Sequence, residues 1–359
     1  MITAKPHDAG TRCGRRCDVM LYYNITRFFP GRCRLYGDFA PAGSPVPIPR
    51  RIRLPTRRHV VSLTAAAVGA VAAAGLVPGR GQNKTQDRPR AVATFSILGD
   101  FVKNVGGERV ELATLVGPNG DVHVYAPTPG DVKTIAAANI VFVNGLGLEG
   151  WIDRLIAASA ARAPVVVASQ GIRPLSGTRS QDHAVSDPHA WQSVANVKLY
   201  VGNIRDGLIA VNAPGKKIFE TNATAYLARL DALDAEIKAA IAAIPPARRK
   251  VITAHSAFGY FGDAYGIEFV AAVGLSTDAE PSARAVARLI DQIRREKIPA
   301  AFMENITDPR LLQRIAAETG VRIGSELYSD ALSPPDGPAA TYIEMMRSNV
   351  RELTSALVS

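Results

Sequence analysis

Three histidines and one aspartate, His123, His189, His255 and Asp330, carry the most chemistry in this 359-residue sequence. Three imidazole nitrogens with one carboxylate oxygen suit a borderline divalent cation, zinc first. Six histidines are present; His7 and His59 fall in the first 90 residues, leaving His123, His183, His189 and His255 in the body of the chain. Cys13, Cys17 and Cys33 are the only cysteines, so the body has neither thiolate ligands nor disulfides. A lone histidine is more often a structural residue than a ligand. Here three of the four body histidines fall in loops spread over both halves, with a carboxylate at the equivalent place in the last loop. His183 has two readings, an auxiliary weak ligand or a solvated side chain.

The elements that must position these groups alternate in type. Apolar, β-branched runs at 91–97, 109–116, 140–145 and 164–169 are separated by helical patterns at 98–105, 130–138 and 149–161, and a polar surface loop is expected at 176–186. After a helix at 194–211 and a long one beyond it, the pattern restarts. Strands are predicted at 250–254, 267–273, 299–305 and 321–325, and helices at 258–265, 281–296, 309–319 and 339–357. Continuous apolar strands between helices call for a parallel sheet covered on both faces, so the fold class is α/β with two lobes. His123, His255 and Asp330 each follow a strand, and His189 precedes a helix; ligands bind at the carboxyl ends of strands in such sheets.

Residues 213–244 predict one long amphipathic helix joining the lobes. Pro214 fits its first turn and Pro245-Pro246 stops it, while Leu227, Leu230, Leu233, Ile237, Ile241 and Ile244 recur at three- and four-residue steps. At 1.5 Å per residue it would span about 45 Å. The metal site would then lie between the lobes. No glycine or proline interrupts 216–244, so little lobe movement is expected.

Charge is unevenly spread. Residues 1–90 hold 16 of the 42 Lys and Arg but four of the 32 Asp and Glu, and the rest of the chain is nearly neutral, with no basic patch to suggest nucleic acid. Thr56-Arg57-Arg58-His59 followed by an Ala- and Val-rich run reads as a signal peptide with small residues near Ala72–Ala74. The arginine pair resembles part of a twin-arginine export signal. The divisions are therefore an over-extended N-terminus at 1–53, a cleaved signal peptide at 54–78, a linker at 79–90, an N-terminal lobe at 91–212, a linking helix at 213–244 and a C-terminal lobe at 245–359. No cysteine follows the apolar run, so a periplasmic protein without a lipid anchor is expected.

The segments DVHVYAPTPGDV (121–132), DPHAW (187–191), AHSAFGYFGDAYGI (254–267) and YSDALS (328–333) resemble the zinc and manganese substrate-binding proteins of ABC importers. The resemblance runs from about Ala91 to the C-terminus. It implies two α/β lobes joined by one long helix, a metal between them held by His123, His189, His255 and Asp330, and an importer permease in the inner membrane as partner to a monomeric receptor. A histidine at the third position is typical of the family's zinc binders and a glutamate of its manganese binders, so Zn2+ is the expected cargo and Mn2+ or iron the alternative. Zinc members often carry a long His-rich loop before the second ligand, whereas here that loop is short. Asp187 either orients His189 or caps a turn, and Glu304 either supports the site or ends a strand. A zinc hydrolase is the rival function, but there is no HExxH and four ligands would already fill a tetrahedral shell. Adhesion or metal buffering on the same fold is a further reading.

Overall fold

The computed structural model describes residues 88–179 and 183–358. The expectations for the N-terminus, the signal segment and most of the linker lie outside the described residues, as does the side chain of His183.

The first half of the described chain is built on a four-stranded parallel sheet. Strands β1 (Arg90–Phe95), β2 (Glu111–Val116), β3 (Ile140–Val143) and β4 (Val165–Val167) stand in the order β2-β1-β3-β4, connected by helices α1 (Ser96–Gly106), α2 (Pro129–Ala136) and α3 (Ile152–Ser159). All four residues of β3 are buried, as its unbroken IVFV run requires between two helical layers. Helix α2 is started by a full capping box: Thr128 and Asp131 exchange side chain-to-backbone bonds, and Pro129 supplies the preset first turn. The hairpin of β5 (Ser176–Arg179) and β6 (His183–Ser186) follows, then α4 (Val194–Val211) and the linking helix α5 (Lys216–Ala242).

The second half repeats the plan. Strands β7 (Lys250–Thr253), β8 (Glu268–Ala271), β9 (Ala300–Ala301) and β10 (Arg322–Ile323) form a parallel sheet ordered β10-β9-β7-β8, with α6 (Gly259–Tyr265), α7 (Ala283–Glu296) and α8 (Arg310–Thr319) between them and α9 (Tyr342–Val358) at the end. Read from β8, its strands are connected in the same order as those of the first sheet. The two lobes thus share one topology, and in each the strand ends open toward the same interior.

Helix α5 buries Phe219, Ala223, Tyr226, Leu230, Leu233, Ile237 and Ile241, a stripe stepping by three and four residues, and packs on α1, α4 and α9. Leu227, expected on that stripe, is partly buried at its margin. The helix does not join the lobes alone. Tyr342 at the start of α9 returns to the first lobe, where its hydroxyl donates to the Trp191 carbonyl at 2.7 Å and its ring meets Phe101 edge-on with centroids 5.0 Å apart. One apolar core therefore runs from β1 through α5 to α9, and a smaller one sits under α7 and α8.

Two expectations change. Within the polar stretch expected as an unpaired loop, Ser176–Arg179 and His183–Ser186 pair antiparallel, and the base of this pair is closed by the Asp187 N–H donating to the Leu175 carbonyl at 2.8 Å. Tyr260 of α6 reinforces that closure, donating to the Asp187 carbonyl and accepting from the Leu175 N–H, both at 3.0 Å. Strand β9 pairs over two residues rather than seven. Beyond it the chain gives way around the Phe302 ring, which a side chain at Gly324 would strike at 2.4 Å, and pairing resumes only as a bridge between Glu304 and Leu327.

Candidate metal centre

His123, His189, His255 and Asp330 come together, their ligand atoms all within 4.8 Å of one another. His123 sits in the loop between β2 and α2, His255 two residues past β7 and Asp330 seven residues past β10, so the carboxyl ends of both parallel sheets supply three of the four, and His189 follows the hairpin strand β6. The His123 Nε2 lies 3.2 Å from His189 Nε2 and 3.1 Å from Asp330 Oδ2, which is also 3.1 Å from His255 Nε2. Asp330 Oδ1 lies 3.7 Å from His189 Nε2. The side chains of His189, His255 and Asp330 are essentially sealed from solvent, and that of His123 is 4% exposed.

The imidazoles of His189 and His255 are each aimed by a carboxylate behind them. Asp187 Oδ1 accepts the backbone N–H of His189 at 2.9 Å and lies 2.8 Å from its Nδ1. Glu304 Oε1 accepts the backbone N–H of His255 at 2.9 Å, and its Oε2 lies 2.6 Å from Nδ1. That short approach is off the line of a hydrogen bond, so it acts mainly through charge. A proton held on Nδ1 toward the carboxylate leaves the Nε2 lone pair facing the cluster. Asp121 Oδ1 likewise accepts the backbone N–H of His123 at 2.8 Å.

The peptides on either side are pinned as well. Ahead of His189, Asn144 Nδ2 donates to the Pro188 carbonyl at 2.9 Å, and Asn144 is itself held by Tyr200 and Glu149. Ahead of Asp330, the Ser329 carbonyl accepts from Trp191 Nε1 at 2.9 Å and Gln192 Nε2 at 2.7 Å, so side chains of the first lobe set a residue of the second. Trp191 is fully buried in the core and also does this. Gly259 leaves room for Asp187: a Cβ there would meet Asp187 Oδ2 at 2.6 Å.

The electrostatics favour a cation. No Lys or Arg pairs with Asp121, Asp187, Glu304 or Asp330 among the described residues. Burial would lower the His255 imidazole, but Glu304 and Asp330 outweigh it and hold its pKa well above the ordinary value. His189 is raised in the same way, burial being outweighed by Asp330 and Asp187. Burial would raise the Asp330 carboxyl, yet His255, His189 and His123 hold it well below its usual range. Asp330 Oδ1 is buried with no hydrogen-bond partner, an orphan that a bound cation would satisfy.

Comparison with known proteins decides the family. The sequence profile described as "Zinc-uptake complex component A periplasmic" matches residues 91–356. The chain belongs to this family. The manganese-binding lipoprotein MntA of Halalkalibacterium halodurans is 34% identical over 298 residues, covering 83% of this chain and 96% of that protein. The iron-binding protein YfeA of Yersinia pestis is 29% identical and covers 84% and 96%. Among solved structures, the periplasmic zinc-binding protein TroA of Treponema pallidum superposes with a TM-score of 0.72 at 31% identity, over 76% of this chain and all of that one. Family members are metal-binding substrate-binding proteins of ABC importers and not enzymes, which removes the hydrolase reading. They serve a membrane permease and its ATPase, and their named metals differ.

These relatives correct one expectation. The absence of a lipid anchor was inferred from the lack of a cysteine after the apolar run at 60–77, but MntA and several further relatives are named lipoproteins. That inference rested on a single residue type at one place in a segment outside the described residues, and it is withdrawn.

Sequence reasoning singled out Asp187 and Glu304 but missed Asp121. The signal was available, since Asp121-Val122-His123 and Asp187-Pro188-His189 share an Asp two residues before the histidine.

Proposed function

We propose that the chain captures Zn2+ between residues 91–212 and 245–359, on His123, His189, His255 and Asp330, and hands it to the permease of an ABC importer. The observation that carries this reading is the convergence of three Nε2 atoms on a buried carboxylate with an unpartnered oxygen. Zinc accepts three imidazoles and one carboxylate oxygen without further ligands. Manganese is the second reading, favoured by that same free oxygen: if both oxygens of Asp330 bind, the set becomes three nitrogens and two oxygens, which a harder ion tolerates.

Calorimetric titration with Zn2+ and Mn2+ tests both. His255→Ala and Asp330→Ala should each weaken zinc by more than about 100-fold, beyond the range typical of losing an outer partner, whereas His183→Ala should change little. His255→Glu should cost zinc affinity and improve relative tolerance of Mn2+, which prefers oxygen. Wild-type zinc affinity in either alanine variant would end the inter-lobe reading. Tighter Mn2+ than Zn2+ binding in the unaltered protein would contradict the ordinary order of affinities and select the second.

A further inference from the structure

The three carboxylates behind the histidines do not do the same job. Asp187 and Glu304 each hold a backbone N–H and approach the Nδ1 of the same histidine. Asp121 holds only the backbone N–H of His123, through Oδ1. Its Oδ2 turns away and accepts from the Thr277 hydroxyl at 2.5 Å, across 156 residues and from the other lobe, in the loop between β8 and α7. One carboxylate therefore ties the His123 backbone to the second lobe.

His123 is also the site residue nearest the outside. Its side chain is the least sealed of the four, and the next residue, Val124, is 53% exposed. The loop that carries it is fixed to its own lobe by Trp151 Nε1 donating to the Val122 carbonyl at 2.9 Å. Toward the second lobe it is held by the Asn119 N–H on the Leu332 carbonyl at 2.9 Å, by Asn305 Nδ2 on Asn119 Oδ1 at 3.0 Å, and by Asp121 on Thr277. The Asn119 contacts lie four residues before His123, whereas the Asp121 contact acts on the His123 peptide itself. For an ion sealed among four side chains to leave, one of them must swing aside, and His123 is the least sealed of the four.

We propose that Asp121 is a positioning residue for metal release: its bridge from the His123 N–H to Thr277 holds His123 against the ion and sets how long the ion stays. This rests on the metal-site reading above. Breaking the bridge leaves all four ligands in place, so capture proceeds at its usual rate and the effect falls on release.

The test is stopped-flow release of Zn2+ from the loaded full chain into excess chelator, for the unaltered protein, Asp121→Ala, Thr277→Val, Thr277→Ser and the Asp121→Ala/Thr277→Val pair. Thr277→Val keeps the side chain's shape and removes the hydroxyl, and thermal melting of the metal-free variants checks that each is folded. Loss of a hydrogen bond to a charged acceptor should speed release about tenfold in either single variant. The pair should be no faster than the faster single, and Thr277→Ser, which keeps the hydroxyl, should release at the original rate. Release from Thr277→Val at the original rate, or a pair whose effects multiply, overturns the bridge. If His123→Ala retains the original zinc affinity, the metal-site reading fails instead, and the two failures are thereby distinguished.

Discussion

Glu304→Gln is a small change whose consequence can be worked out from the geometry of His255. Glu304 is 2% exposed, with one oxygen on the His255 N–H and the other 2.6 Å from Nδ1. In the metal-bound state His255 must be neutral with its Nε2 lone pair free, so the proton sits on Nδ1, facing Glu304. A glutamine that keeps its oxygen on the backbone N–H turns its amide NH2 toward Nδ1–H, and two donors confront each other. His255 must then move its proton to Nε2, which removes the ligand, or rotate. Losing this buried charge is taken to cost as much as losing a bond to a charged group, about 1.5–3 kcal/mol, and at about 1.4 kcal/mol per decade zinc affinity falls about 10- to 150-fold. The sign of the pH dependence follows from the raised His255 pKa. In the native protein the metal must displace a proton held by Glu304 and Asp330; without the Glu304 charge that proton is held less tightly. The deficit of the variant should therefore be full only above the raised His255 value and shrink as pH falls through it toward the ordinary imidazole value of about 6.5. Competition titration against a chelator of known affinity at three pH values reads this directly. An equal deficit at every pH, or none at the most alkaline, would refute the role given to Glu304.

Two further outcomes are expected. The stability of the metal-free protein should fall as pH rises from about 6.5 through the raised folded values of His255 and His189, because their contribution is complete only while they are protonated. It should fall again in acid, from the ordinary carboxyl value of about 3.8 down through the depressed value of Asp330, so scanning fluorimetry with a chelator present should show a maximum on the acid side of neutrality. Scattering profiles with and without zinc should nearly superimpose, since α5 has no internal glycine or proline and α9 also packs back on α1. A change in radius of gyration of several Å would reject that rigidity.

What could be read in the sequence was what local periodicity encodes. Helix α4 falls at the predicted 194–211, and β3 was legible because IVFV between helical patterns has no other stable place than a covered sheet. The pairing of Ser176–Arg179 with His183–Ser186 was not, because these residues lack the β-branched alternation that marks a strand. Its closure comes from Tyr260, 85 residues from Leu175, in the other half of the chain. That His123, His189, His255 and Asp330 would cluster was legible because few histidines were available and they fell in loops.

What holds those ligands was only half legible, and the reason is geometric. An Asp two residues before a His can reach back to the histidine's own N–H, and both Asp121 and Asp187 do. Spacing fixes that first oxygen. In Asp187 that same oxygen also meets the imidazole Nδ1, whereas in Asp121 the other oxygen is taken by a threonine that the fold brings from the other lobe. Two identical local motifs therefore acquire different duties, one aiming a ring and the other tying a lobe. The difference lies in the Asp121–Thr277 contact, which spans 156 residues, where no local pattern reaches.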